Sequence, residues 1–157
     1  MMSTRSMAGI VVMLLILVPA FVSARNVVDD SQSPGYLFVM SAASGSLEGN
    51  KLTMNGVPNV VYFSDRPNRV AGHMSIDKFI EVWGSQPQSM KSDPPNAVLS
   101  VLDPSGKDNA VVELLSVSKD GQSVVFNIRR LDGVASFKFE SSSLFIDQIP
   151  VGTPIAL

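Results

Sequence analysis

The sequence predicts a mainly β protein: an antiparallel β-sandwich or partly closed barrel of about eight short strands with one short amphipathic helix at about residues 75–84. Three observations predict it. Short runs of alternating apolar and polar residues recur, as where Phe137 and Phe139 alternate with Ser136 and Lys138. Turn dipeptides such as Asn55-Gly56, Asp120-Gly121 and Asp132-Gly133 separate those runs. Only one segment, containing Ile76, Phe79, Ile80 and Trp83, carries the i, i+3, i+4, i+7 spacing of a helix.

In chain order, the first element is a targeting segment. Arg5 precedes an apolar run over 10–18, which ends near Pro19 and the small-residue exit Val22-Ser23-Ala24, the three parts of a secretory signal peptide. The run is short against the roughly 18 residues or more of a spanning helix, so cleavage after Ala24 and release of Arg25 are expected. Residues 25–35 mix charge with Ser, Pro and Gly and read as a flexible leader; 36–157 then form a single β domain.

Within that domain, Tyr36, Phe38 and Met40 alternate with Leu37, Val39 and Ser41, so both faces of a first strand are apolar and burial on both sides is expected. A second strand is expected over 46–54, with Gly49-Asn50 as a bend or bulge, and a third over 59–64. Asp65-Arg66-Pro67-Asn68-Arg69 interrupts the pattern, because Pro67 cannot donate to a ladder and restricts Arg66. In the helix, Ser75 suits the N-cap, Asp77 the positive first turn, and Gly84 the stop. A Pro- and Ser-rich connection over 85–95 leads to strands over 97–102, 110–117, 123–130 and 134–139, read as a meander, and a last strand over 144–149. In the third of these, Val124, Phe126 and Ile128 face one way and Val125, Asn127 and Arg129 the other, so one side of the sheet is wet.

Composition narrows the function. The 157 residues carry 12 basic and 14 acidic side chains, and removal of residues 1–24 takes away Arg5 alone, moving the formal charge from −2 to −3. That balance offers no electrostatic reason to bind phosphate backbones, so no nucleic acid is expected as a partner. No segment after the signal has the length and apolarity to cross a bilayer, so no membrane span is expected after cleavage. Cysteine is absent, which excludes disulfides, thiol chemistry and thiolate metal sites. An extracytoplasmic location, secreted or periplasmic, is the expectation.

The densest set of reactive side chains runs from Tyr62 to His73 and includes Ser64, Asp65, Arg66 and Arg69. A Ser, an Asp and the single His suggest a hydrolase triad, but triad members normally converge from separate elements and no G-x-S-x-G elbow is present. Asp65 and Arg66 can equally be a turn in which the carboxylate accepts backbone N–H groups and the guanidinium pairs nearby. His73 with Met74 suits soft-metal ligation, yet the methionines are scattered as core fillers are, and one His is too few for a catalytic zinc; no metal and no cofactor are expected. Asp93-Pro94-Pro95-Asn96 fixes the backbone ahead of a strand.

Taken together, Tyr62-Phe63-Ser64-Asp65-Arg66-Pro67, Gly72-His73, Asp93-Pro94-Pro95-Asn96-Ala97 and Leu144-Phe145-Ile146-Asp147 resemble a family of small exported proteins with no assigned activity. The resemblance implies a secreted β domain and carries over no functional residue. The leading expectation is a module that binds a ligand or partner, such as a small anion or sugar, through the loops 64–73 and 93–96, with Asp65, Arg66, Arg69, His73, Asp93 and Asn96 as candidate ligand-binding residues. Two rivals are a hydrolase-like enzyme using Asp65 or Asp93 with His73 as an acid/base pair, and a structural, self-associating surface protein.

Overall fold

In the structure, a computed structural model, residues 35–85, 92–102 and 109–150 are described. The expected signal peptide, the leader up to residue 34, the middle of the 85–95 connection and the tail beyond Pro150 lie outside the described residues. Strands form at β1 (Gly35–Ala42), β2 (Ser44–Glu48), β3 (Lys51–Asn55), β4 (Val60–Ser64) and β5 (Ala71–Met74). The helix α1 (Ile76–Gly84) is followed by β6 (Asn96–Val101), β7 (Ala110–Asp120), β8 (Ser123–Arg130), β9 (Phe137–Phe139) and β10 (Ser142–Pro150). All ten strands join one antiparallel sheet in the order β5-β4-β1-β10-β6-β7-β8-β3-β2-β9. β5 and β9 each have a neighbour on one side only, so the sheet is an open one rather than a closed barrel.

The alternation of side chains explains the inner face. Phe38, Met40, Leu52, Tyr62, Leu114, Phe126 and Ile128 are all buried, each separated from a buried strand neighbour by an outward residue, and Leu47 is the buried residue of β2. α1 lies against this inner face. Its stripe buries Ile76, Phe79 and Val82, with Ile80 and Trp83 packed at the margin. Phe79 meets the Phe38 ring edge-on at 5.3 Å, and Trp83 meets Phe126 at 6.4 Å, so the helix reaches from β1 to β8. Ser75 Oγ accepts from Lys78 N at 3.2 Å, as an N-cap should, and Lys119 of β7 pairs with Asp77 in the first turn at 3.0 Å.

Several expectations need correcting. The described residues hold ten strands rather than about eight: Gly49-Asn50 is a full turn, with Gly49 at φ 56°, that divides 46–54 into the hairpin β2–β3, and β5 is an addition. β5 was not expected at all. The meander holds for β6, β7 and β8, but β9 shortens to Phe137–Phe139 and pairs with β2 instead. β10 returns to the middle of the sheet, between β1 and β6. β1 is buried on its Tyr36, Phe38, Met40 face only, since Leu37 and Val39 are half-buried on the other side. Gly84 is the last helical residue, and Ser85 takes the cap.

Two local devices hold the far end of the sheet. The Arg130 guanidinium donates to Gly49 O at 2.8 Å, to Leu47 O and Ser136 Oγ at 3.3 Å, and to Val134 O, stitching the β2–β3 turn to the segment before β9. Gly45 faces β9 so closely that a Cβ there would lie 2.6 Å from Phe139 Cε2 and closer still to Phe139 Cζ and Thr53 O.

Candidate functional site

The 65–70 loop closes the hairpin between β4 and β5. Ser64 N donates to Val70 O and Val70 N to Ser64 Oγ, both at 2.8 Å, so the serine hydroxyl is a loop clamp rather than a free nucleophile. Asp65 N reaches Gly35 O at 3.3 Å, Arg69 N reaches Asp65 O at 3.1 Å, and Asn68 Nδ2 donates to the Asp65 carboxylate at 3.4 Å. The Arg66–Pro67 bond is cis, and Arg69 has φ 52°. The expected turn, with the carboxylate accepting backbone N–H groups and the Arg66 guanidinium paired nearby, is not what forms: the carboxylate accepts from the Asn68 side chain, and it is the Asp65 backbone carbonyl that accepts from Arg69 N. Among the described residues the ion pairs are Lys78–Glu81, Lys119–Asp77 and Arg129–Glu113, so Arg66 and Arg69 are exposed cations outside any of them.

Register locates the remaining candidates. His73 is exposed on β5 and lies opposite Val61 of β4. Asp65 follows Ser64, three positions beyond Val61, which puts it about 13 Å along the strand from the His73 row at ~3.3 Å per residue. Asp93 and Asn96 precede and begin β6, where Asn96 faces Glu113 and Pro95 O accepts from Leu114 N at 3.0 Å. Because β4, β1, β10 and β6 alternate in direction, the 65–70 loop and Asn96 share one end of the sheet. β1 and β10 stand between them, a separation of three strand spacings or about 14 Å. From β5 to β6 it is four spacings, about 19 Å along the sheet. His73 therefore does not pair with Asp65 or Asp93, and Ser64, Asp65 and His73 do not form a triad. Among the described residues no group of three or more His, Cys, Asp or Glu side chains is arranged to hold a metal ion.

What joins the two loops is the outward face of the sheet. Val61 lies opposite Val39, Val39 opposite Phe145, Phe145 opposite Val98 and Val98 opposite Val111, a row of apolar side chains across five adjacent strands. Four of the five are more than a third exposed: Val61 39%, Phe145 45%, Val98 41% and Val111 38%. His73 terminates the row at β5. One step toward the loops, Phe63, 40% exposed, faces Leu37. Next to it a shallow depression of about 240 Å³ is lined by Leu37, Asn96, Val98, Phe145 and Asp147, with the β6 and β10 backbones as its floor. One step the other way, Ser41, Ser143 and Ser100 stand in register, with the first two hydroxyls 3.1 Å apart.

Sequence reasoning selected reactive residue types and so missed Val39, Val61, Val98, Val111 and Phe145. The signal that could have found them is the run of consecutive apolar residues in Leu37 to Val39: a strand apolar on both faces has its second face either covered or exposed as a contact surface. Comparison of the chain with protein-family models, curated proteins and solved structures gives no match.

Proposed function

We propose that the protein is an exported, non-enzymatic binding module whose ligand lies against the outward sheet face, between the 65–70 loop and Asn96. The observation that carries this reading is the exposed apolar row across β4, β1, β10, β6 and β7. Exposed apolar area costs about 25 cal/mol per Å², and a contiguous patch on a sheet whose other face already holds the core is the usual mark of a contact surface. Arg66, Arg69 and His73 stand at one margin of that face and Asn96 at another, where they can orient what binds. Three of the motifs behind the resemblance to small exported proteins meet here, through Phe63, through Asn96 and Ala97, and through Phe145 and Asp147. Export is supported by the N-terminal pattern of Arg5, the apolar run and Val22-Ser23-Ala24.

A thermal-shift screen against neutral oligosaccharides, small carboxylates, phosphate and divalent metals tests the reading. A ligand that binds only the folded state at ten times its Kd adds about 1.4 kcal/mol. The expected result is a raised Tm that Phe145→Ser abolishes and that Arg66→Ala or His73→Ala weakens. A shift lost in Arg66→Ala but intact in Phe145→Ser moves the site off the face, and the absence of any shift counts against a binding module.

A further inference from the structure

Resting on that binding-face reading, we infer that the ligand is a neutral, linear polysaccharide chain lying along the apolar row. The row and its flanks form a strip about 20 Å long from β4 to β7 and about 10 Å wide, from the ordinary strand and residue spacings. That is a few hundred Å² at most, against about 800 Å² per partner in a stable protein interface, so a second copy of this chain is not its occupant. An extended peptide fits poorly for another reason. The strands beneath already spend their backbone groups on one another, and Val39, Val61, Val98, Val111 and Phe145 offer no donor or acceptor, so a peptide laid there would bury unpaired N–H and C=O groups. An anionic polymer would find little counter-charge along the row, since its five side chains are neutral, Arg129 beside it is paired with Glu113, and the cations Arg66 and Arg69 stand only in the loop at the β4–β5 margin.

A pyranose chain meets each condition. Its C–H faces are apolar and can cover Phe145, Phe63 and the valines, while its hydroxyls point sideways from the rings. On one side they meet the neutral hydroxyls of Ser41, Ser143 and Ser100, and on the other the Asn96 amide. No hydroxyl need be buried without a partner, and the open face lets a chain longer than the strip run past both ends.

The test is affinity electrophoresis of the full chain in native gels containing xylan, glucomannan, hydroxyethylcellulose or dextran, with alginate as the anionic comparison. Retardation is expected in at least one neutral gel, little changed by added salt, and weakened about tenfold or more by Phe145→Ser. Val98→Ser is expected to weaken it too, and circular dichroism checks that both variants are folded. No retardation in any neutral gel, or salt-sensitive retardation by alginate alone, overturns the inference. If a peptide array binds in a Phe145-dependent way while the neutral glycans do not, the ligand class is wrong and the binding face stands. If a neutral glycan retards wild type and both variants equally, the face itself is wrong.

Discussion

Replacing Gly45 by alanine introduces one methyl group where, of the described glycines, the neighbouring atoms come closest. The new Cβ would lie 2.6 Å from Phe139 Cε2, and closer still to Phe139 Cζ and to the Thr53 carbonyl oxygen on β3. The carbonyl belongs to the five-residue β2–β3 ladder, whereas β9 is held to β2 by only three positions, Gly45↔Phe139, Ser46↔Lys138 and Leu47↔Phe137. β9 therefore yields first. Exposing Phe139, now buried, loses about 1.5–3 kcal/mol of apolar burial. Two ladder hydrogen bonds at about 1 kcal/mol each bring the expected cost to roughly 3–5 kcal/mol. Against a usual total of about 5–15 kcal/mol, that is enough to move the urea midpoint by a molar unit or more. Urea titration followed by circular dichroism measures it, and a loss below about 1 kcal/mol would refute the reasoning. Repeating the substitution in a Phe139→Leu background should show a coupling of about 1 kcal/mol, whereas strict additivity would mean that the phenyl ring is not what the glycine accommodates.

The remaining predictions concern the same sheet and its helix. Arg130→Met should destabilise by about 2–4 kcal/mol through the loss of charge-assisted bonds to the Gly49, Leu47 and Val134 carbonyls, and Arg130→Lys should recover less than half, because an ammonium cannot span the fork; chemical denaturation distinguishes the two. Gly84→Ala should stabilise by about 0.5–1 kcal/mol, since the site is helical and a Cβ there meets nothing, and this would be read as a rise in Tm. Ser75→Ala should cost about 1 kcal/mol by leaving the Lys78 N–H without its cap. Asp77→Asn, which breaks the exposed pair with Lys119, should cost no more than about 0.5 kcal/mol and become silent at high salt.

How much of this could be read from the residues follows from what each pattern depends on. β8 was legible because its Val124, Phe126, Ile128 face meets the core while Asn127 and Arg129 meet water, so local alternation and tertiary environment agree. α1 was legible for the same reason at a different period, although Val82 rather than Trp83 proved the more deeply buried. β5 was not: Ala71-Gly72-His73-Met74 has no alternation of its own and exists because Tyr62 and its neighbours on β4 present a ladder to it. The partner of β9 and the place of β10 depend on contacts remote in sequence, which no local pattern encodes. At the site, Asp65, Arg66 and Arg69 were identified by chemical type, and their grouping in one loop followed from adjacency. The surface connecting them to Asn96 arises only when five strands come into register, so it could not be assembled from any one segment.

The position of β10 has a consequence for how the protein is made. Pairing links β5, β4 and β1 on one side and β6, β7, β8, β3, β2 and β9 on the other, and β10 is the one strand that hydrogen-bonds to both groups, while α1 packs across them from one face. As synthesis proceeds from the N-terminus, both groups can take shape while two raw edges, β1 and β6, wait for a strand not yet available. Until it inserts, each edge is a template for a stranger's backbone. Joining the two edges into one sheet therefore waits on β10, the last of the described strands in chain order, and long-range pairing of this kind is intrinsically slow.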